Sequence, residues 1–121
     1  MTARWDLGDG RGLHSLLIRS AARTPDAPAV TGPGGPMTYG ELDRRADELA
    51  AALAGLGVGP GDRVLIWAPK SAATLAAMQA VLRLAAVYVP VDPLTPADRA
   101  ALIARECRAR ALCAPAELRE R

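Results

Sequence analysis

The sequence predicts an α/β fold in three layers, with a mainly parallel sheet flanked by helices. The segment RVLIWA (63–68) is a near-continuous apolar run, typical of a strand covered by helices on both faces. Segments with helical spacing precede and follow this run, and a β-branched segment stands at 87–91. The order strand, helix, strand, helix, strand from residue 64 onward implies two right-handed crossovers and therefore a parallel sheet.

The N-terminal quarter of the chain predicts one helix and a small hairpin. Residues 13–23 have helical spacing, and Pro25 ends this helix because it pushes the preceding residue out of the α region. The predicted inward face consists of Leu13, Leu16, Leu17 and Ala21. APAVT (27–31) is a short strand candidate, and the turn-rich GPGGP (32–36) joins it to residues 37–38.

The second helix has the clearest start signal in the chain. Thr38, with Glu41 three residues later, forms a capping box. The apolar residues that keep helical spacing are Leu42, Ala46, Leu49, Leu53 and Leu56. Gly57 is predicted to end the helix as a left-handed residue, before a turn that leads into the strand at 64–68.

Two further helices and two further strands complete the pattern. Ser71 is a candidate N-cap for a helix that runs to about Leu84. The residues predicted to be buried by this helix are Leu75, Met78 and Leu82. Residues 87–91 predict a strand that ends near Pro90, which has no N–H to donate. Thr95 and Pro96 then predict an N-cap and a first helical residue. The inward residues of that helix are expected to be Ala101, Leu102 and Cys107, and residues 109–114 are a weaker strand candidate.

Length and composition exclude several classes of function. A chain of 121 residues is expected to form one domain. Its net charge of +2 is scattered along the chain and its aromatic content is only 3%, which argues against nucleic acid as a partner. No apolar run approaches the ~20 residues of a membrane helix, and the start lacks the apolar stretch of a signal peptide. We therefore expect a cytoplasmic protein with no membrane partner.

The cysteines and the single histidine do not predict a metal site. Cys107 and Cys113 are too few for a disulfide framework and lack zinc-binding spacing, so we interpret them as buried free thiols. His14 adds no cluster of ligands. We assign no metal-binding residue.

Three spaced motifs occur in order along the chain. The first is a Thr-Tyr-x-Glu-Leu segment at Thr38, Tyr39, Glu41 and Leu42. The second is a Gly-Val-x-x-Gly-Asp-Arg turn at Gly57, Val58, Gly61, Asp62 and Arg63. The third is an Ala-Tyr-Val-Pro-x-Asp-Pro-x-x-Pro-x-x-Arg segment, which this chain matches from Tyr88 through Asp92, Pro93, Pro96 and Arg99. Together they resemble the N-terminal part of the adenylation domains of nonribosomal peptide synthetases.

The resemblance spans about residues 13–114 and implies both a fold and a chemistry. The family belongs to the adenylate-forming superfamily, which also includes acyl-CoA synthetases and firefly luciferase. The fold implied is the first part of the large N-terminal domain of these enzymes. Members activate a carboxylate with ATP as an acyl-adenylate and pass the acyl group to a thiol. The proline-rich third motif favours amino-acid-activating members over acyl-CoA ligases.

One position departs from the family pattern. The family usually has Gly just before the Tyr-containing strand, whereas this chain has Ala85. A turn with positive φ would be strained at an alanine, so the preceding helix is expected to run on.

The groups that perform the family's chemistry have no counterpart in this sequence. The phosphate loop ending in lysine, the ribose-binding aspartate and the lysine of the small C-terminal domain all lie beyond the matched region. The resemblance therefore assigns no catalytic, cofactor-binding or metal residue and no cofactor. We expect no ATP binding by this chain alone.

The internal candidates for a site have simpler structural interpretations. GPGGP and GVGPG are interpreted as turns, since neither is followed by the lysine or the helix that a phosphate loop needs. Lys70, the single lysine, is interpreted as a solvated loop residue past the end of a strand. His14 beside Ser15 is not a nucleophile pair, because adjacency on a helix does not bring the two side chains together. Asp92 is expected to stabilise a turn.

We divide the chain into an N-terminal extension (1–12), an adenylation-type α/β domain (13–114) truncated before the nucleotide-binding motifs, and a charged tail (115–121). Three functions are compatible with the sequence. The first is a non-catalytic protein that associates with itself or with a larger adenylation enzyme or synthetase in natural-product biosynthesis. The second is the N-terminal subunit of a split ATP-dependent ligase, active only with a complementary chain. The third is an inactive fragment or remnant.

Overall fold

The helices and strands follow the predicted alternation. A computed structural model describes residues 12–32 and 35–119. The helices are α1 (Leu13–Arg23), α2 (Tyr39–Gly55), α3 (Ala72–Arg83), α4 (Ala97–Glu106) and α5 (Ala116–Arg119). The strands are β1 (Pro28–Val30), β2 (Met37–Thr38), β3 (Arg63–Trp67), β4 (Val87–Val91) and β5 (Ala109–Cys113). The α/β class with a parallel sheet between helices is confirmed.

Strand β3 lies at the centre of the sheet, which has the order β4-β3-β5. Leu65 pairs with Val89 of β4 on one side and with Leu112 of β5 on the other, and both pairings are parallel. Val64 packs with the residues of α2 and α3, while Leu65 and Trp67 face α4. The apolar run is therefore covered on both faces, as its composition predicts.

Strands β1 and β2 form the predicted hairpin. They pair antiparallel, with Pro28 opposite Thr38. Their side chains border a cluster in which Leu17, Leu42 and Ala76 bring α1, α2 and α3 together. Two segments named in the sequence analysis lie partly outside the described residues. These are residues 33–34 of the connecting GPGGP and residues 1–11 of the N-terminal extension.

The helix starts match the sequence signals at two of three positions. The Thr38 hydroxyl accepts from the Glu41 amide at 3.1 Å, and the Ser71 hydroxyl accepts from the Thr74 amide at 3.1 Å. The prediction at Thr95 is wrong by one residue. Pro96 is the N-cap of α4 and provides no side-chain acceptor. The first turn of α4 contains Asp98, and the positive end of the helix dipole stabilises the negative charge of this side chain.

The buried helix faces are built from smaller residues than predicted. Six residues that the sequence predicts to face inward are exposed in the structure: Leu13, Leu16, Leu56, Leu75, Ala101 and Leu102. In α3 the buried residues are Ala76, Ala77, Ala80 and Val81. In α4 the buried residue is Ala100. Small side chains allow the helix axes to approach their neighbours closely, and this approach turns the larger leucines outward.

The helix α3 ends before Ala85, so the expectation that it runs on is wrong. Ala85 adopts φ 57°, and its amide donates to Leu82 O at 3.0 Å. The Ala86 amide donates to Val81 O at 3.1 Å, which completes a Schellman motif. The Ala85 carbonyl also accepts from the Gly61 amide at 2.9 Å. These hydrogen bonds hold the alanine in the left-handed region that a glycine would occupy more easily.

The substitution Ala85→Gly is expected to stabilise the protein, because it removes the left-handed strain of an L-residue. The free energy of unfolding should rise by about 0.5–1 kcal/mol in urea denaturation. The control Ala51→Gly, at an exposed position inside α2, should lower it by about 1 kcal/mol. Equal destabilisation by both glycines would contradict the strain at Ala85.

A buried arginine of α3 forms ion pairs with α2. Arg83 forms ion pairs at 2.5 Å with both Asp43 and Asp47, and it also donates to the Asp43 carbonyl at 3.1 Å. The Arg83 side chain is only 8% exposed, whereas Asp47 is 71% exposed. The pair with Asp43 therefore contributes more than the pair with Asp47, which water screens.

The substitution Arg83→Met is expected to lower the free energy of unfolding by about 1–2 kcal/mol, because it leaves the half-buried Asp43 without its partner. Urea denaturation monitored by circular dichroism measures the change. The control Arg44→Met, on the exposed side of α2, should change stability by less than about 0.5 kcal/mol. The same loss at both positions would contradict a role for the ion pairs.

Candidate functional site

A cleft of about 380 Å³ lies beyond the carboxyl ends of β3 and β5. The crossover through α3 packs on one face of the sheet and the crossover through α4 packs on the other. The gap between β3 and β5 is therefore the point at which the direction of winding reverses. Parallel α/β sheets bind their ligands at such a point, so the cleft is the candidate site.

The cleft has an apolar interior and a charged rim. Its floor includes Ile66 from β3 and Ala77 from α3, and Arg45 and Glu48 from α2 stand at the opening. The loops that follow the strands contribute Ala68, Pro69, Ala114 and Pro115. Such a surface suits an apolar group with a polar end that reaches the rim.

The hydroxyl groups in the cleft are already engaged. Ser71 Oγ accepts from the Thr74 amide and donates to Thr74 Oγ1 at 3.2 Å. Thr74 Oγ1 in turn donates to Pro69 O at 2.6 Å. These contacts order the start of α3 and leave neither hydroxyl paired with a base. The hydroxyls therefore shape the cleft, and nothing in their geometry makes them nucleophiles.

Cys113 is the titratable group that the cleft perturbs. It is a free, half-buried thiol at the end of β5. Desolvation by burial raises the pKa of the Cys113 thiol. Because the thiolate is the reactive form, the raised pKa makes this cysteine a poor nucleophile at neutral pH.

The glycine-rich turn after α2 uses its amides internally. The Gly57 amide donates to Ala54 O, the Gly59 amide to Asp62 Oδ2 at 2.8 Å, and the Gly61 amide to Ala85 O. In the other glycine-rich segment the Gly35 amide donates to Gly32 O at 3.0 Å. These amides are therefore engaged in turns and are not directed at a phosphate group.

The remaining candidates lie apart from the cleft. Lys70 is exposed and borders a separate hollow of about 320 Å³ beside Val30 and Leu75. His14 is half-buried on α1, and the neighbouring Ser15 donates to Gly12 O at 2.6 Å rather than to the imidazole. Asp92 accepts from the Leu94 amide at 2.8 Å, so it orders a turn as predicted.

Residues 12–32 and 35–119 contain neither a group of metal ligands nor a helix that could span a membrane. No three His, Cys, Asp or Glu side chains in these ranges come together in a way that could hold a metal ion. Over the same ranges, no helix has the length and apolar character needed to cross a membrane.

The sequence profile of the AMP-binding enzymes matches residues 17–121. The chain belongs to the AMP-binding enzyme family. Among curated relatives, the L-proline--[L-prolyl-carrier protein] ligase of Pseudomonas fluorescens is 46% identical over 109 residues. The malpibaldin synthetase of Mortierella alpina is 44% identical over 104 residues. The predicted resemblance to adenylation enzymes of nonribosomal peptide synthesis is confirmed.

Solved structures of AMP-binding enzymes have the same fold over this region. The nonribosomal peptide synthetase FmoA3 superimposes with a TM-score of 0.85 at 33% identity, covering 90% of this chain and 12% of that one. The anthranilate CoA ligase AuaEII gives a TM-score of 0.83 at 27% identity, covering 90% and 21%. Of the two curated relatives, this chain covers 22% of the ligase and 2% of the synthetase, with 89% and 86% of its own length matched.

The cleft was not found from the sequence. Its polar rim comes from α2, its floor from β3 and α3, and its thiol from β5. The run RVLIWA and the strand candidate at 109–114 predict the two strands whose carboxyl ends border the cleft. The missing information was that β5 lies next to β3, which local spacing does not encode.

The thiol of Cys113 should react slowly with iodoacetamide because burial raises its pKa and reduces the thiolate fraction. In a Cys107→Ala variant, the folded chain should react with a midpoint at higher pH than the same chain unfolded in guanidinium chloride. Mass spectrometry follows the rate at each pH. A folded-state profile at or below the unfolded one would contradict desolvation of this thiol.

Proposed function

We propose that this chain acts by association, as a non-catalytic adenylation-type α/β unit of nonribosomal peptide or related natural-product biosynthesis. Its partner would be a fuller adenylation enzyme or synthetase, or a second copy of the chain. The location would be the cytoplasm.

The observation that carries this proposal is the exposed apolar surface. Large apolar side chains that are more than a third exposed occur on α1, α3 and α4, on the edge strands β4 and β5, and in the segments after α2 and β4. They are Leu13, Leu16, Ile18, Leu56, Leu75, Val87, Leu94, Leu102 and Leu112. Leu94 is 87% exposed and Leu56 is 66% exposed. Contiguous apolar surface is typical of surfaces that bind another protein, and Leu13 and Leu16, which are neighbours one turn apart on α1, form one such stretch.

The glycine-rich turn and the lysine, which are candidates for phosphate binding, do not come together in one site. The turn amides at Gly57, Gly59 and Gly61 are engaged within the fold. The single lysine, Lys70, is exposed and borders a different hollow from the cleft. The proposal therefore gives this chain an architectural role, and we derive no catalytic step from its residues.

A second candidate is the N-terminal part of a split amino-acid-adenylating ligase. The cleft at the winding reversal favours it, because α/β enzymes hold ligands there. The relative that is 46% identical to this chain over 109 residues is, by its name, a ligase that acts on L-proline and a carrier protein. In this case a complementary chain would supply the nucleotide-binding elements and the lysine.

Mixing experiments separate the two candidates and a remnant without function. The chain is mixed with the intact L-prolyl ligase and with that ligase lacking its 109 matched residues. Light scattering measures the molar mass, and proline-dependent exchange of pyrophosphate into ATP measures adenylation. We expect a complex that shows no more exchange than the ligase protein alone. Restored exchange with the shortened ligase would establish the split enzyme instead. A chain that stays monomeric in every mixture would overturn both candidates.

A further inference from the structure

The amino ends of β3 and β5 carry a group of arginines. Arg63 is the first residue of β3, and its Nε donates to Cys107 O at 2.7 Å. Arg108 follows Cys107 directly and is exposed. The exposed Arg110 lies against the turn after α2, where its Nη2 would be 2.8 Å from a Cβ atom added at Gly57. Three arginines therefore stand at one end of the sheet, opposite to the end that holds the cleft.

A fourth arginine stands beside these three, and none of the four has an acidic partner. Arg105 is exposed in the last turn of α4. We define the basic edge as Arg63, Arg105, Arg108 and Arg110. Of the acidic residues next to it in the chain, Asp62 accepts from the Gly59 amide at 2.8 Å and Glu106 is exposed. Within the part of the chain that the structure describes, no carboxylate forms an ion pair with the basic edge.

The net charge of the chain is concentrated at the basic edge. The sequence has 15 basic and 13 acidic residues. Four of the basic residues form the edge, and two of the acidic residues, Asp62 and Glu106, adjoin it, so the remaining 11 of each sign balance. The fold thus gathers at one end of the sheet a charge that is scattered along the sequence. Concentrated charge of one sign attracts partners of the opposite sign.

Exposed apolar side chains border the basic edge. Val87 begins β4 opposite Arg63 in the sheet, and it is 49% exposed. Leu56 precedes Gly57, against which Arg110 lies, and it is 66% exposed. Protein interfaces combine arginine with apolar contacts, whereas surfaces for single-stranded nucleic acid add aromatic rings that stack on bases. Because the exposed side chains at this edge are aliphatic and basic, the edge fits a protein better than a nucleic acid.

We propose that the basic edge is the docking surface for an acidic segment of a partner protein, in which carboxylates stand beside apolar side chains. The guanidinium groups would bind the carboxylates through paired hydrogen bonds, and Leu56 and Val87 would contact the apolar side chains. A second copy of this chain does not fit, because two basic edges would repel each other. This inference rests on the proposed function and names the surface and the chemistry of that association.

The first test uses the full chain and a fluorescent peptide of glutamates and leucines as the probe. A control peptide has glutamine in place of every glutamate. Fluorescence anisotropy gives the dissociation constants. The glutamate peptide should bind at least tenfold more tightly than the control, and its binding should weaken about tenfold between ~50 mM and ~300 mM salt. Equal affinity for the two peptides would overturn the role of the carboxylates.

Two double variants with the same change in net charge locate the binding surface. Arg105→Glu with Arg108→Glu alters the basic edge, and Arg44→Glu with Arg99→Glu alters exposed positions elsewhere on α2 and α4. None of these four side chains forms a hydrogen bond or ion pair within the described residues. Circular dichroism checks that both variants fold. The edge variant should bind the glutamate peptide more than tenfold more weakly than the wild-type chain, and the control variant less than threefold. Equal weakening would overturn the basic edge, since binding would then follow net charge alone.

Light scattering with the intact L-prolyl ligase separates this inference from the proposed function. A complex that the edge variant abolishes and the control variant keeps would support both proposals. A complex that forms equally with the edge variant would overturn the basic edge and leave the association standing. Peptide binding at the edge without a complex in any mixture would overturn the proposed function and support the preference of the edge for carboxylates. Tighter binding to phosphatidylserine vesicles or to a DNA duplex than to the glutamate peptide would overturn the protein partner.

Discussion

The burial of β3 on both faces is the constraint on which the rest of the structure depends. Val64, Leu65, Ile66 and Trp67 are each less than 5% exposed, so every side chain of this stretch needs a cover. Parallel neighbours satisfy the backbone on both sides, and helices must then lie above and below. One crossover passes over each face for this reason. The winding reversal between β3 and β5 is a direct consequence, and it produces the cleft at the strand ends.

The same constraint explains where the surface is incomplete. Two helices lie on the Val64 face, and Arg83 of α3 holds them together through Asp43 and Asp47. The opposite face has α4 and a single turn of helix beyond β5. Apolar groups that the sheet needs to bury on that side, such as Leu112, are only half covered. The helices that connect the three strands therefore cover one face of the sheet more fully than the other.

The sequence predicts the local elements well because their signals are local. The capping residues Thr38 and Ser71 and the turn glycine Gly57 act within a few residues, and all three occupy the predicted positions. The helix faces are less predictable, since alanine and leucine both satisfy a helical pattern. The helical pattern predicts that Leu75 is buried, whereas the structure buries the neighbouring Ala76 and leaves Leu75 39% exposed. The cleft depends on strand order, and the spacing of residues along the chain does not encode this property.

The helices that precede the three parallel strands end in the same way. Their C-cap residues, Leu56, Leu84 and Cys107, have φ between −92° and −86° and ψ between 0° and 6°. Each is followed by a residue in the left-handed region: Gly57, Ala85 and Arg108. The three helix ends that lead to the parallel strands thus share one backbone conformation, although the sequence contains no repeat. Glycine, alanine and arginine all occupy its left-handed position, so the feature that recurs is the backbone angle and not the side chain.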